Sequence, residues 1–224
     1  MTKKNPTNEA KYMRDFTKLV KRVKKHVVSQ IGETAEVILH ESRNEYQRII
    51  PQIPSAENLE PFTRFLISTG QYLAVYRVLR KHGFTSKDAG ELIYYITEKL
   101  IASYPRFLTR FLSPDIFSQK YIEKVRRGAK ESQRKPIGGY VFTYVDGSPA
   151  FNYGVDYTNC GVHKFLTEMG APELTPYICA MDILSSEQLG WGLKRTMTIA
   201  EGGNICDFRF RKSMPTEVSS SVIK

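Results

Sequence analysis

A cysteine and a histidine in the C-terminal third have the spacing that thiol chemistry needs. Cys160 follows Thr158 and Asn159, either of which can cap a helix, so Cys160 is expected in its first turn. The helix dipole and the free N–H groups there favour a thiolate. His163 lies three residues later on the same helix face and can exchange a proton with the sulfur. The pair predicts a sulfur nucleophile or a thiol-assisted base. The alternative is a small buried cysteine beside a surface histidine.

Arg195 is the second residue with a chemical consequence, because it falls on an apolar strand face. A Gly202-Gly203 pair between two β-rich segments predicts a tight hairpin of residues 193–200 and 205–211. The predicted register pairs Ile199 with Cys206, Met197 with Phe208 and Arg195 with Phe210. A guanidinium on that face needs an anion, because burying it unpaired is costly. The anion is either a protein carboxylate or the carboxylate of a bound ligand.

Two further cysteines and an aspartate complete the candidate reactive groups. Cys206 shares the predicted face of Arg195, while Cys179 and Asp182 are three residues apart and share a helix face. The three thiols, His163 and Asp182 could form a metal site, but no C-x-x-C pair is present and the ligands are far apart in sequence. There is also no phosphate-binding loop, nucleophile elbow or dinucleotide fingerprint. The sequence therefore predicts no metal and no cofactor.

The net charge of +10 says little about binding partners, because much of it is concentrated in one segment. Nine Lys or Arg residues lie within residues 1–30, where a solvated helix face explains them. A basic segment can also meet nucleic acid or an anionic membrane, but no nucleic-acid module signature accompanies it, so nucleic acid is not expected. No apolar run approaches the roughly 18–20 residues of a membrane span. Three cysteines and no apolar leader predict free thiols in a cytoplasmic protein.

Helices are predicted to precede the segments that carry these residues. Apolar residues at three- and four-residue spacing predict helices at 10–30, 33–49, 57–82, 87–103 and 114–131. Pro51 breaks the chain after the second helix, Ser86 caps the fourth, and Ser113-Pro114 begins the fifth. The helical region is assigned to residues 1–135.

The pattern then changes to strands. Residues 138–145 and 151–157 flank turn residues 146–149, which predicts a hairpin. Its register pairs Tyr144 with Phe151, Phe142 with Tyr153 and Tyr140 with Val155, giving one aromatic face. Helices at 159–169 and 173–188 follow, and then the second hairpin. The prediction is an α+β fold with a ββααββ unit and a four-stranded antiparallel sheet over 136–213, followed by a flexible tail at 214–224.

Two segments resemble a known family. They are YTNCGVHKFLTEMGAPELTPYICAMD at 157–182 and KRTMTIAEGGNICDFRF at 194–210. Both are similar to the core of the L-2-amino-thiazoline-4-carboxylic acid (ATC) hydrolases. Many members have two adjacent cysteines before the aspartate of the second segment, whereas here the first of these positions is Ile205, so a mechanism needing that thiol does not carry over. The ββααββ order also resembles 4-vinyl reductase domains and the vesicle-tethering TRAPP subunits, which implies a homodimer.

The resemblance implies hydrolysis of a 2-amino-thiazoline or related cyclic amidine ring on a carboxylate-bearing small-molecule substrate. Cys160 is then the nucleophile or base, His163 its proton partner and Asp182 the group that holds the amidinium. Arg195 would anchor the substrate carboxylate. The pocket would be lined by Cys206, Tyr140, Phe142 and Tyr153.

Two other functions fit the same scaffold. One is a non-catalytic ligand-binding module of the 4-vinyl reductase kind, in which the aromatic face lines an apolar pocket. The other is a lyase, cyclase or isomerase of a biosynthetic pathway, because a fold alone does not fix a reaction.

Overall fold

The computed structural model describes residues 6–56 and 61–223, and the chain divides into two compact units, one up to Leu100 and one from Ile101 onwards. The predicted boundary at 135/136 falls inside the second unit. The helices are α1 (Pro6–Ile31), α2 (Thr34–Ile49), α3 (Phe62–Lys81), α4 (Ser86–Ala102), α5 (Arg106–Leu112), α6 (Gln119–Arg134), α7 (Gly161–Glu168) and α8 (Thr175–Leu189). None of the helices in the described ranges is long and apolar enough to cross a bilayer.

The first unit consists of α1 to α4, close to the predicted bounds; residues 57–60 of the predicted third helix lie outside the described ranges. Val23, Val27 and Leu39 form part of its core, because their spacing gives each helix one apolar stripe. The cap of α4 is Thr85 rather than Ser86. The Thr85 hydroxyl accepts from the Asp88 N–H at 3.1 Å, and the Asp88 carboxylate accepts from the Thr85 N–H in return.

The helical part of the second unit differs from the prediction at 114–131. A short helix that was not predicted, α5, precedes that region, and α6 begins only at Gln119. Ser118 caps α6, since its hydroxyl accepts from the Tyr121 N–H. The prediction placed the start at Ser113-Pro114 because proline is common in a first turn, but the better capping geometry is at Ser118.

The sheet has five strands rather than the predicted four. They are β1 (Val141–Val145), β2 (Tyr153–Asn159), β3 (Lys194–Arg195), β4 (Cys206–Phe210) and β5 (Glu217–Val218), in the spatial order β1-β2-β4-β3-β5. β5 pairs with β3 in parallel, so the sheet is mixed. Residues predicted as part of a flexible tail therefore form an edge strand. The molecule is α+β, as predicted.

The first hairpin is offset by four residues from its predicted register. Tyr144 pairs with Val155 and Phe142 with Tyr157, because the connection is the longer loop 146–152. Within that loop Ser148 and Phe151 bond to each other, and a Cβ on Gly147 would lie 2.2 Å from the Asn152 carbonyl. An even offset leaves every side chain on its predicted face, so the aromatic face is retained.

The second hairpin is offset by two residues and is shorter than predicted. Lys194 pairs with Arg209, which places Arg195 beside Phe208 rather than Phe210. The strand ends at Arg195, because the next two backbone N–H groups donate to the Asp207 carboxylate instead of to a strand, each at 2.8 Å. Three assignments to the two faces of this hairpin are consequently wrong. Met197 is exposed, whereas Thr198 and Arg211 are buried.

Candidate functional site

Arg195 points inward, as the strand pattern predicts. Its side chain is only 1% exposed, and its guanidinium lies 5.5 Å from the centre of the Phe208 ring. Nη1 donates to the Asp182 carboxylate and, at 3.0 Å, to the Cys179 carbonyl. The anion that the sequence required is therefore a protein carboxylate, supplied by α8. A guanidinium bound in this way cannot also offer its full fork to a substrate carboxylate, which reduces the predicted anchoring role.

The pKa of Asp182 lies close to neutrality. Burial raises it to about 6, and the positive charge of Arg195 opposes that rise. The carboxylate is nevertheless 32% exposed, so water and small molecules can reach it. A carboxylate that is accessible and has a pKa near the working pH is suited to accept and return a proton.

Cys160 lies at the beginning of α7, but one position earlier than predicted. It is the N-cap residue itself, and its carbonyl accepts the first helical bond, from the Lys164 N–H at 2.9 Å. The next residue must be glycine, because a Cβ on Gly161 would lie 2.4 Å from the Gly138 carbonyl and 2.6 Å from the Tyr140 ring. This close approach brings the start of α7 against the segment that leads into β1.

The expectation of a stabilised thiolate at Cys160 is wrong. Burial raises the pKa of Cys160, and the backbone N–H groups of His163 and Val162 only partly offset that effect. Burial likewise raises the pKa of Cys179, and it raises that of Cys206 to about 11. At neutral pH these groups are thiols, because the effect of burial outweighs that of the nearby N–H groups and of the Arg195 charge.

The structure brings most of the predicted site together. Electrostatic interactions connect Cys160 with Asp182 and Arg195, and connect Cys206 with the same three groups. Cys179 interacts with each of these four groups, and the Tyr140 hydroxyl interacts with Cys160 and Asp182. Elements α7, α8, β3 and β4 each contribute to this one cluster.

Tyr157 belongs to the cluster, although it was not predicted as a site residue. It lies directly opposite Cys206 in the β2–β4 pairing and interacts electrostatically with Asp182 and Cys160. Burial raises its pKa above the usual value, so its phenol stays protonated and is a hydrogen-bond donor. The alternation along β2 contained the signal: Tyr157 follows Tyr153 and Val155 at two-residue spacing on the inner face.

The cluster is partly open to solvent. Asp182, Cys160, Cys179 and Tyr157 are each partly exposed, yet burial is the largest influence on the pKa of each. Side chains have both properties when protein surrounds them on most sides and solvent reaches them on one. Solvent, and therefore a small molecule, can reach these titratable groups.

Three residues that were predicted to belong to the site do not make the predicted contacts. The structure records no contact between the His163 ring and the Cys160 thiol within the described ranges, and His163 Nδ1 is buried without a hydrogen-bond partner there. Phe142 and Tyr153 are buried in the core: the Ser132 hydroxyl of α6 bonds to both backbone groups of Phe142, and Tyr153 stacks on Phe210 with 4.8 Å between ring centres. Phe142 packs on the Tyr157 ring and Tyr153 on the Phe210 ring, so neither side chain lines an open apolar pocket.

The opposite face of the sheet carries structural charges. Arg209 pairs with Asp156 at 2.6 Å, and Asp207 binds the backbone that ends β3. Within the described ranges, no group of three or more His, Cys, Asp or Glu side chains is arranged to hold a metal ion.

Comparison with known proteins assigns the chain to a family. The family model described as L-2-amino-thiazoline-4-carboxylic acid hydrolase matches residues 64–210, which include every residue of the cluster. No curated protein and no solved structure matches the chain. The match covers well over half of the 224 residues, and the predicted resemblance is confirmed: the chain belongs to the ATC hydrolase family.

Proposed function

We propose that this protein hydrolyses a 2-amino-thiazoline or related cyclic amidine ring at the partly exposed cluster of Asp182, Cys160 and Tyr157. The observation that carries the proposal is the accessible carboxylate of Asp182 with its pKa near 6, held by Arg195 and surrounded by protonated thiol and phenol groups. Family membership supports hydrolysis as the reaction class.

Asp182 acts as the general base. Its carboxylate accepts a proton from water as the water oxygen bonds to the amidine carbon between sulfur and nitrogen. As the tetrahedral intermediate collapses, the carbon–sulfur bond breaks and the new hydroxyl becomes the carbonyl of the product, its proton passing to the ring nitrogen. The protonated Asp182 returns the proton to the departing sulfur, which yields an N-carbamoyl-cysteine-like product. One group thus carries the proton in both directions, which a pKa near neutrality allows.

Cys160 acts as a neutral hydrogen-bond donor to the intermediate, with Tyr157 beside it. This role replaces the nucleophile expected from the sequence, since burial keeps the thiol protonated at neutral pH. Arg195 positions Asp182 through Nη1.

Four variants and one control test the proposal with L-2-amino-thiazoline-4-carboxylate, the product being followed by mass spectrometry. We expect Asp182→Asn to lower kcat by about 10²–10⁴, because the proton carrier is lost. Cys160→Ala and Tyr157→Phe each lower kcat by roughly tenfold or more, because a donor is lost. Cys160→Ser retains most of the activity, since a hydroxyl still donates. Asp156→Asn, in an Asp–Arg pair on the opposite sheet face, is the matched control and retains wild-type turnover.

Three outcomes would contradict the proposal. Unchanged turnover in Asp182→Asn would show that Asp182 is not the general base. Complete loss of turnover in Cys160→Ser, with Cys160→Ala equally inactive, would indicate that Cys160 is a nucleophile. Saturable binding of a panel of cyclic amidines without any product identifies a ligand-binding module instead of an enzyme.

A further inference from the structure

Helix α5 presents a cluster of large apolar side chains to solvent. Phe107 is 77% exposed and Phe111 85% exposed, while Leu108 and Leu112 are exposed as well. These four residues lie at spacings of one, four and five, so they occupy one face of the helix. Half of the large apolar residues that are exposed in the described chain fall between Tyr104 and Leu112. A contiguous patch of this kind marks an interaction surface.

The helix is held in place on its other face. The Gln188 amide of α8 donates to the Tyr104 carbonyl at 2.9 Å and to the Thr109 hydroxyl at 3.0 Å. Thr109 therefore faces α8, and the apolar face that Phe107 and Phe111 occupy points away from it. No residue of α5 itself is buried. The exposed face is thus a fixed feature of the second unit and not a frayed end.

The charge around this face has one sign. Arg106 and Arg110 lie within α5, and residues 101–114 contain no Asp or Glu. Neither arginine takes part in an ion pair with any described residue. Two copies of the chain meeting at this face would bring four guanidinium groups together with no carboxylate in the segment, and each copy carries a net charge of +10. Self-association is therefore disfavoured, whereas an anionic surface is complementary.

We propose that α5 is a membrane-docking element that binds the surface of an anionic lipid bilayer. Phe107, Phe111, Leu108 and Leu112 insert at the boundary between the head groups and the acyl chains, while Arg106 contacts the acidic head groups. The contact is peripheral and does not depend on the hydrolytic activity proposed above.

Co-sedimentation of the full chain with lipid vesicles tests this docking. Wild-type protein is expected to bind vesicles of phosphatidylcholine containing about 30% phosphatidylserine far more strongly than vesicles of phosphatidylcholine alone, and to be released by salt. The double variant Phe107→Ser/Phe111→Ser is expected to lower the partition coefficient by about tenfold or more, because two buried rings are lost. Arg106→Glu is expected to weaken binding to the phosphatidylserine vesicles specifically.

Two matched controls separate α5 from other surfaces. Phe65→Ser removes an exposed phenylalanine of the first unit, and Lys21→Glu/Lys25→Glu reverses two exposed charges of α1; both are expected to bind as wild type. Binding that is lost only in the α1 variant overturns the assignment to α5. Equal binding by wild type and Phe107→Ser/Phe111→Ser overturns it too. Absence of vesicle binding, together with a dimer in sedimentation equilibrium that this double variant dissociates, assigns the face to a second copy of the chain.

Discussion

Arg195 and Asp182 show how a local pattern can place one residue and leave its partner open. Side-chain direction in a strand alternates with period two, so the inward orientation of Arg195 follows from the residues on either side of it. The neighbouring residues do not predict the partner of Arg195, however. Asp182 lies thirteen positions earlier, on α8, and contacts Arg195 only when the helix packs on the sheet. The same pair then determines the pKa on which the proposed mechanism depends.

The pH dependence of turnover tests that coupling. Because Asp182 must be ionised to accept a proton, kcat is expected to fall as the pH decreases through about 6, the folded pKa of this carboxyl. Arg195→Gln removes the positive charge that lowers this pKa, so the acid limb is expected to move to higher pH. Arg195→Lys keeps a positive charge, and its limb is expected to stay near the wild-type position.

Measuring kcat and KM separately across pH distinguishes positioning from structural damage. A structural defect would lower kcat at every pH and leave the midpoint of the limb unchanged. Asp182→Asn is the reference, since it has no carboxyl to titrate and its residual activity should lose the limb altogether. A wild-type limb in Asp182→Asn would assign the titration to another group.

At the scale of elements, β5 completes the edge of the sheet next to the site. The Glu217 N–H donates to the Leu193 carbonyl at 2.8 Å, and the Ser219 N–H donates to the Arg195 carbonyl at 2.9 Å. The buried Arg211 in turn depends on the same segment, since it donates to the Glu217 carboxylate and to the Pro215 carbonyl. The C-terminal residues therefore pair with one edge of the strand that carries Arg195 and also bind the buried Arg211.

Truncation after Ser213 is expected to lower the free energy of unfolding by roughly 3 kcal/mol, because it leaves the Arg211 guanidinium buried without its carboxylate. Turnover should fall as well, since the Arg195 backbone loses its strand partner. Urea denaturation followed by circular dichroism measures the first effect. Removal of residues 222–224 keeps β5 and is the control. Equal stability of both truncations would mean that β5 contributes nothing to the fold.

The errors in the predicted length of one hairpin and the predicted register of the other have a common physical cause. The segment 193–200 has strand alternation throughout, yet the strand stops at Arg195 because Asp207 binds the N–H groups of Thr196 and Met197. Similarly, the hairpin register depended on a loop whose internal Ser148–Phe151 pairing lengthens the connection. In both cases backbone groups bond outside the regular strand pairing, to a side chain in one and to loop backbone in the other, and such bonds leave no trace in the periodicity of the sequence.

For the molecule as a whole, the boundary between the two units has a consequence for folding. The sequence placed it at 135/136, where the composition changes, whereas the second compact unit begins at Ile101 and includes α6. α6 belongs there because the Ser132 hydroxyl bonds to the backbone of Phe142 in β1.

A fragment of residues 101–224 is therefore expected to unfold cooperatively in urea. A fragment of residues 136–224 lacks the helix that covers β1, and it is expected to show no cooperative transition. Near-ultraviolet circular dichroism, which reports packed aromatic side chains, should differ between the two in the same way. A cooperative transition in the shorter fragment would support the boundary that composition suggests.

The class of the fold, the existence and order of its main helices, the inward faces of β1 to β4 and the family all follow from the sequence alone. These follow from periodicity and from short segments, which are local properties. Only the tertiary structure decided that Arg195 binds Asp182, that Tyr157 joins the cluster, that the thiols remain protonated and that residues 217–218 form a strand. Each of these depends on which groups are brought together and how much solvent is removed from them, and packing alone sets both.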